Sequence, residues 1–207
     1  VDDARIENVE QDVNGTRSMS DILKFSLNTG VVHILSQLGG GSINKQAREK
    51  FYSYNTERFG FGSPTKVEQS GEVDGTIFAP NSEQGNNVRY SNMAFGQGMN
   101  VTMVQVAAAF SSVVNGGNYF QPHLVEGTLG DNEEVNTKPP TPVRSDVVTP
   151  ATGEAVRTMI RTALNTSPAV AGFVRPGYNV GGKTGTSQII DQATGKYTEN
   201  NAVGSYL

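Results

Sequence analysis

The 207-residue sequence contains no cysteine and has only two histidines, His33 and His123. Without thiols the chain cannot form a disulfide scaffold, act as a thiol enzyme or bind zinc through thiolates. The histidines have neither His-x-x-x-His spacing nor a carboxylate cluster beside them, which argues against a metal site. We therefore expect neither metal nor thiol chemistry.

Two further absences concern membranes and nucleic acids. The chain has no run of 18 apolar residues, so we expect no membrane-spanning helix within it. Its net charge is −4 and its isoelectric point is near 5.2. These values exclude a protein that binds nucleic acid through a strongly basic surface.

Glycine and proline, in contrast, are abundant. The chain has 24 glycines and 9 prolines, close to one residue in six. Apolar residues make up 36% of the chain, which is below the usual ~45–50%. This composition predicts many turns and irregular segments and not a compact helical bundle.

Local patterns predict helices in four places. The first pattern begins at Ser18, a predicted cap with Asp21 at the third helical position, and ends at the triple glycine 39–41. A break near Asn28 predicts either two helices here or one distorted helix. The other three are predicted over residues 42–54, over residues 102–115 with a capping box of Thr102 and Gln105, and after the Thr149-Pro150 cap.

The remaining segments are predicted to form loops or strands. Residues 63–90 are polar and predict a long excursion with at most short strands. Residues 177–207 predict two strands joined by a turn at Gly195.

The first chemical candidate is Lys183-Thr184-Gly185-Thr186. On a strand, Thr184 and Thr186 share one face, and two such hydroxyls can bind a substrate carboxylate. Gly185 would let a substrate backbone lie against the strand, and Lys183 adds a positive charge nearby. The alternative interpretation is an ordinary glycine-containing strand with an exposed lysine.

The second candidate is Ser26-Leu27-Asn28, at the predicted helix break. The Ser26 hydroxyl could relay a proton, and the Asn28 amide could bind a peptide carbonyl. The Ser-x-Asn pattern also occurs at residues 42–44 and 53–55, so it means little without its context.

Together these motifs resemble those of the active-site serine enzymes that bind penicillin. The segment Phe59-Gly60-Phe61-Gly62 resembles the "FGFG" turn of the class B, monofunctional enzymes. Residues 94–107 resemble their "GQG…VTPLQ.A" segment, with Met103 where proline is usual. The similarity covers most of the chain, and it is greatest to the division and elongation transpeptidases of class B.

This resemblance implies an α/β (α+β) fold in which helices surround an antiparallel sheet, incomplete here and rich in helix and loop. It implies that Ser26 passes a proton to the leaving amine, helped by the positive field of Lys183, and that Asn28 binds the substrate backbone. It implies a substrate carboxylate held at the strand and a Thr186 N–H that forms half of an oxyanion hole. The substrate-binding residues on the strand are Thr184, Gly185 and Thr186.

The implied reaction is acyl transfer without a cofactor. A serine attacks the penultimate D-alanine carbonyl of a peptidoglycan stem peptide, releases D-alanine, and passes the acyl group to a neighbouring amine. The implied partners are stem peptides ending in D-Ala–D-Ala, β-lactams that acylate the same serine, and membrane proteins of the division or elongation machinery. The implied location is the extracytoplasmic face of the bacterial cell membrane, with an anchor outside this chain.

The family's nucleophile motif, Ser-x-x-Lys, is missing from its usual place before Ser-x-Asn. Matches occur at residues 42–45 and 63–66, both after Ser26 and therefore in the wrong order. We expect Ser42 to cap a helix and Ser63 to lie in a turn. We expect residues 1–207 to be part of a transpeptidase domain, with the nucleophile upstream of Val1 and further structure beyond Leu207, and to be inactive alone.

Two other functions stay open. One is a D,D-carboxypeptidase or β-lactamase relative, and the other is a non-catalytic penicillin-binding-like interaction module. Glu83 and Asn87 match the Glu-x-x-x-Asn of class A β-lactamases, but their polar surroundings predict a loop.

Overall fold

The computed structural model describes residues 1–9, 13–137, 139–165, 176–191, 193–195 and 197–207. The chain divides into two compact units. The first unit contains Val1–Tyr52, Phe78–Met99 and Ala155–Leu207, and the second contains Ser53–Ile77 and Asn100–Glu154. Within the described residues, no helix combines the length and the apolar character that crossing a bilayer requires.

The first helical pattern forms two separate helices, α1 (Met19–Lys24) and α2 (Asn28–Gln37). Ser18 caps α1 as predicted, because its hydroxyl accepts from the Asp21 N–H while the Asp21 carboxylate accepts from the Ser18 N–H at 3.0 Å. Hydrogen bonds from Ser18 hold the pKa of the Asp21 carboxyl below its usual value. The break near Asn28 therefore divides the pattern into two helices.

Gly30 explains how α1 and α2 approach each other. A Cβ atom placed on Gly30 would lie 2.7 Å from Cγ1 of Ile22 in α1. Glycine weakens a helix interior by about 1 kcal/mol relative to alanine. The residue that weakens the helical pattern is therefore the one that makes room for the neighbouring helix.

The third helix, α3 (Lys45–Ser53), begins later than predicted and continues into a π-helical turn, Tyr54–Arg58. The prediction that Ser42 caps this helix is wrong. The cap is Asn44, whose Oδ1 accepts from the Ala47 N–H (3.0 Å) and whose Nδ2 donates to the Gly39 carbonyl (2.8 Å). Ser42 lies before the cap position, and its hydroxyl cannot replace the Asn44 amide, which accepts from the helix and donates to the glycine turn at the same time.

A helix that the sequence did not predict, α4 (Asn87–Ala94), follows the cap residue Asn86. Asn86 Oδ1 accepts from the Arg89 N–H at 2.8 Å, so the expectation that Asn87 lies in a loop is wrong. The reason is tertiary. Tyr90 is fully buried in the first unit, donates its hydroxyl to the Phe78 carbonyl (2.8 Å), and packs edge-on against Phe51. Burial raises the pKa of the Tyr90 phenol.

In the second unit, α5 (Met103–Val114) confirms the helix predicted at residues 102–115, including its capping box. Gln105 is fully buried there and uses both ends of its amide. Its Oε1 accepts from the Thr102 N–H (2.9 Å), and its Nε2 donates to the carbonyls of Ser63 (2.6 Å) and Asp74 (2.8 Å). This single side chain thus ties the polar excursion to the helix, and Ser63 contributes its backbone from a bend, as predicted.

We expect Gln105→Glu to destabilise the protein by about 2–3 kcal/mol at neutral pH. The substitution keeps the side-chain shape, but a carboxylate cannot donate to the two carbonyls that Nε2 satisfies. Chemical denaturation monitored by circular dichroism would measure the change. Gln84→Glu, at an exposed position, is the control, and equal stability of the two variants would contradict the role assigned to Gln105.

Met103 is the first residue of α5, and its side chain is 86% exposed. We expect Met103→Pro to stabilise the protein by about 0.4–1 kcal/mol, because proline favours this position and restricts the unfolded chain. The preceding residue, Thr102, already has the extended backbone (φ −80°, ψ 154°) that proline requires. Ala107→Pro, at an exposed position inside the same helix, should instead cost about 3 kcal/mol. Thermal unfolding of both variants distinguishes the two cases, and a destabilised Met103→Pro would refute the argument.

The predicted helix after Thr149 is also present. It is α6 (Pro150–Asn165), and Thr149 Oγ1 accepts from the Thr152 N–H (3.2 Å). Ile160 and Leu164 of this helix are buried. A short hairpin that the sequence did not predict, β1 (Gly127–Leu129) with β2 (Val135–Thr137), precedes it. Its three-residue strands are too short for an alternating pattern to be visible.

The C-terminal section forms the predicted hairpin, β3 (Thr184–Ile190) with β4 (Tyr197–Tyr206), paired antiparallel. Gly181 and Gly182, just before β3, are sites of close packing. A Cβ on Gly181 would lie 3.2 Å from the Arg161 backbone nitrogen of α6, and one on Gly182 would lie 2.6 Å from the Leu207 carbonyl oxygen. These glycines let the start of β3 lie close to its neighbours.

Candidate active site

Ser26 lies at the corner between α1 and α2, in the first unit. The N–H of Leu27 donates to the Ile22 carbonyl (3.0 Å), and the N–H of Ser26 donates to the Leu23 carbonyl (3.3 Å). This pair of bonds is the Schellman ending of a helix, in which the residue at the Ser26 position is usually glycine. Ser26 accordingly has a left-handed backbone, with φ 51°. Such a conformation costs a non-glycine residue about 1–3 kcal/mol, and it is often found at functional sites.

Asn28 is the first residue of α2, and its amide is oriented by the N-terminal segment. Its Nδ2 donates to the backbone carbonyl of Glu7 at 3.0 Å. Ser26 and Asn28 are thus the chain neighbours of the buried Leu27.

Lys183 lies immediately before β3, and its ammonium group reaches the helix corner. Nζ donates to Ser26 Oγ and also to the Thr184 carbonyl (2.7 Å). The two hydrogen-bonded side chains are 157 residues apart in sequence. Burial lowers the pKa of the Lys183 amine from its ordinary value, because desolvation disfavours the charged form. A hydroxyl in contact with such a lysine is well placed to move a proton.

The register of the hairpin determines which way the β3 backbone groups point. Lys183 and Leu207 exchange both N–H···O bonds, at 2.8 and 3.1 Å. Because such pairs alternate along an antiparallel ladder, Thr184 and Thr186 occupy non-hydrogen-bonded positions, and their N–H groups point away from β4. In the described residues β3 pairs with β4 alone, so its outer edge offers backbone donors.

The side chains of Thr184 and Thr186 are exposed and share one face of β3. Gly185 lies between them, and a Cβ on it would come within 2.5 Å of Ser205 Oγ on the paired strand. The glycine therefore makes room for Ser205, and space for a substrate backbone at this position stays a prediction.

The structure brings Ser26 and Lys183 into direct contact, with Asn28 on the adjoining helix and Thr184 to Thr186 on the adjoining strand. Sequence reasoning missed the segment that holds Asn28, because no local pattern links Glu7 to a residue 21 positions away. Among the described residues, no group of three or more His, Asp and Glu side chains is arranged to hold a metal ion.

A hydroxyl in contact with a partly desolvated lysine can relay a proton, and outward N–H groups on a neighbouring strand edge can stabilise an oxyanion; acyl transfer uses both functions. The chain belongs to the family described as the penicillin binding protein transpeptidase domain, whose model matches residues 1–207.

Individual relatives agree with this assignment. Stage V sporulation protein D of Bacillus subtilis is 31% identical over 208 residues, which cover 100% of this chain and 30% of that protein. A peptidoglycan D,D-transpeptidase FtsI homolog of Mesostigma viride is 29% identical over 204 residues, which cover 91% of this chain and 32% of that protein. The chain thus spans about a third of the length of these relatives.

Solved structures support the fold. Penicillin binding protein 3 of Mycobacterium tuberculosis, complexed with aztreonam, matches with a TM-score of 0.74 and 24% identity, over 91% of this chain and 41% of that one. The expectation of an α/β fold of the transpeptidase and serine β-lactamase type is confirmed.

Proposed function

We propose that this chain forms part of a peptidoglycan D,D-transpeptidase that cross-links stem peptides through a serine acyl-enzyme. The observation that carries the proposal is the contact between Lys183 Nζ and Ser26 Oγ, made across 157 residues of sequence. Family membership supports it, since a relative is named a peptidoglycan D,D-transpeptidase.

In the proposed reaction, the nucleophilic serine attacks the penultimate D-alanine carbonyl, and the bond to the terminal D-alanine breaks. Ser26 passes to the leaving amine nitrogen the proton that the nucleophile gives up. The Lys183 ammonium stabilises the negative charge that develops on the Ser26 oxygen during this relay. The sequence holds no Ser-x-x-Lys before Ser26, so we place the nucleophile outside this chain.

Substrate binding is assigned to the strand and the helix start. We propose that the hydroxyls of Thr184 and Thr186 bind the terminal carboxylate of the substrate and that Gly185 lets its backbone approach. The outward N–H of Thr186 would donate to the developing oxyanion, a contribution worth roughly 3–4 kcal/mol in other acyl-transfer enzymes. Asn28 would bind a peptide carbonyl of the substrate.

The wider setting is proposed on the same basis. We propose that β-lactams acylate the intact protein, because a similar structure is a complex with aztreonam. We also propose that the intact protein acts at the extracytoplasmic face of the bacterial membrane, with partners in the division or elongation machinery.

Intact mass spectrometry after incubation with a reactive penicillin tests this function. The intact protein should gain the mass of one penicillin, and the isolated 207-residue chain should gain none. Labelling of the short chain at Ser42 or Ser63 would overturn the placement of the nucleophile. A folded intact protein that stays unlabelled would reject the transpeptidase function in favour of a non-catalytic module.

A further inference from the structure

The helix that carries Asn28 has no cap of its own. The residue at the N-cap of α2 is Leu27, which has no polar side chain and makes no side-chain capping bond. A helix start leaves several N–H groups without partners inside the helix. Some other part of the molecule must satisfy these donors.

Asn8 supplies the missing cap from 21 residues upstream. Its Oδ1 accepts from the Thr29 N–H at 3.1 Å and from the Thr29 hydroxyl at 3.0 Å. Asn8 is 5% exposed, and its Nδ2 donates to Asn14 Oδ1 (2.8 Å), which fixes the direction of the amide. The Asn8 amide is therefore fixed by hydrogen bonds at both its oxygen and its nitrogen.

The residue before Asn8 takes part in the same arrangement. The Glu7 carbonyl accepts from Asn28 Nδ2, and Asn8 binds the next residue, Thr29. Two consecutive residues of the N-terminal segment thus hold two consecutive residues of α2. We call these four residues, Glu7, Asn8, Asn28 and Thr29, the helix clamp.

The helix clamp restrains the turn that contains Ser26. On one side of Ser26, the Schellman bonds attach the turn to α1. On the other side, the helix clamp fixes the first turn of α2. Both restraints oppose relaxation of the left-handed backbone at Ser26, a conformation that is unfavourable for a residue other than glycine.

We propose that Asn8 is a positioning residue for the Ser26–Lys183 pair, acting by capping α2 and so holding Ser26 and Asn28 at the angle that catalysis needs. The proposal rests on the function proposed above. Small displacements of a catalytic group are sufficient for a large effect, since misplacement by about 1 Å can slow a reaction 10²-fold.

Three variants of the intact protein test this role. Asn8→Ala removes the acceptor, and Asn8→Asp retains an acceptor oxygen that the helix dipole favours. Asn86→Ala is the matched control, since Asn86 caps α4 through the same atom, with Oδ1 accepting from the Arg89 N–H at 2.8 Å. Two measurements are made on each variant: hydrogen exchange of peptides covering residues 25–31, and the rate of acylation by a fluorescent penicillin.

We expect Asn8→Ala to speed exchange in residues 25–31 by roughly 5- to 30-fold, as expected for loss of a cap. We expect it to slow acylation by at least about 10-fold. Asn8→Asp keeps the acceptor for the Thr29 N–H but loses the donor to Asn14, so it should recover part of both effects. Asn86→Ala, which also removes a helix cap, should leave acylation unchanged. The joint pattern separates positioning from general destabilisation.

The proposal is overturned if Asn8→Ala acylates at the wild-type rate, or if Asn86→Ala slows acylation as much. It is also overturned if exchange in residues 25–31 does not respond to Asn8→Ala. If the wild-type protein is not acylated at all, the proposed function fails, while the exchange measurement still decides whether Asn8 restrains the Ser26 turn.

Discussion

Replacing Lys183 by glutamine should slow acylation of the intact protein by roughly 10²- to 10⁴-fold, the usual effect of losing a group that assists proton transfer. The ammonium group contacts Ser26 Oγ and also donates to the Thr184 carbonyl. Glutamine retains a donor but has no charge to stabilise the oxygen during the relay. Stopped-flow measurement of penicillin acylation gives the rate constant directly.

The matched control for this substitution is Lys45→Gln. Lys45 is an exposed lysine that forms an i,i+4 ion pair with Glu49, at 3.6 Å. We expect it to acylate like the wild type. Acylation by Lys183→Gln within about 3-fold of the wild type would show that Lys183 is structural only, since proton-transfer assistance is worth far more than that.

The pH dependence of acylation has a definite direction. Burial lowers the pKa of Lys183 below the ordinary 10.5, so the ammonium loses its proton at a lower pH than a free lysine does. Acylation should therefore fall on the alkaline side before free lysine titrates. Lys183→Arg, which stays charged, should move that fall to higher pH.

The same pKa shift affects stability in the opposite direction. Between the pKa of Lys183 in the folded protein and its pKa in the unfolded chain, the unfolded chain binds more protons. The contribution of Lys183 to the free energy of unfolding therefore increases as pH rises through this range.

Ser26→Gly should change stability and activity in opposite directions. Glycine relieves the left-handed strain at φ 51°, which outweighs its greater freedom in the unfolded chain, so we expect a gain of about 0.5–1 kcal/mol in the free energy of unfolding. Removal of the hydroxyl should slow acylation by roughly 10²-fold or more. Denaturant unfolding and penicillin acylation, measured on the same preparation, test both halves.

Two companion variants isolate the two effects. Ser26→Ala removes the same hydroxyl and keeps the strain, so it should be about 1 kcal/mol less stable than Ser26→Gly. Lys66→Gly relieves a similar left-handed backbone, φ 64°, at an exposed position, and acylation should not change. A Ser26→Gly protein that is less stable than Ser26→Ala would contradict the presence of strain at this residue.

Local capping chemistry made much of the fold predictable. Ser18, Thr102 and Thr149 each carry a hydroxyl at the start of a periodic pattern, and the structure begins a helix after each of them. The hairpin at the C-terminus was predictable because its two strands are long and have a glycine turn between them.

Features that depend on distant residues were not predictable. The helix α4 has a local cap in Asn86, but its Tyr90 packs against Phe51 and donates to the Phe78 carbonyl, and no local pattern indicates these contacts. One local feature was also missed: Asn44, and not Ser42, caps α3, because an amide can accept from the helix and donate to the Gly39 carbonyl at the same time.

The candidate site shows the same difference between features that local patterns predict and features that depend on the three-dimensional arrangement. The Ser-x-Asn and Lys-Thr-Gly motifs predicted Ser26 and Lys183, and the structure places these two side chains in contact. The left-handed backbone at Ser26 and the cap supplied by Asn8 follow from three-dimensional arrangement. A periodic pattern carries no information about either.

The long separation between Ser26 and Lys183 has a consequence for how the protein folds. Closing a loop of 157 residues costs on the order of 4 kcal/mol in chain entropy, and one hydrogen bond, worth about 1 kcal/mol, does not by itself offset this cost. Contacts of high sequence separation also form slowly. The site should therefore be among the last features to appear during refolding. Penicillin labelling of the intact protein, started at intervals after dilution from denaturant, would then report arrival at the native state, long after α1 and α2 have formed.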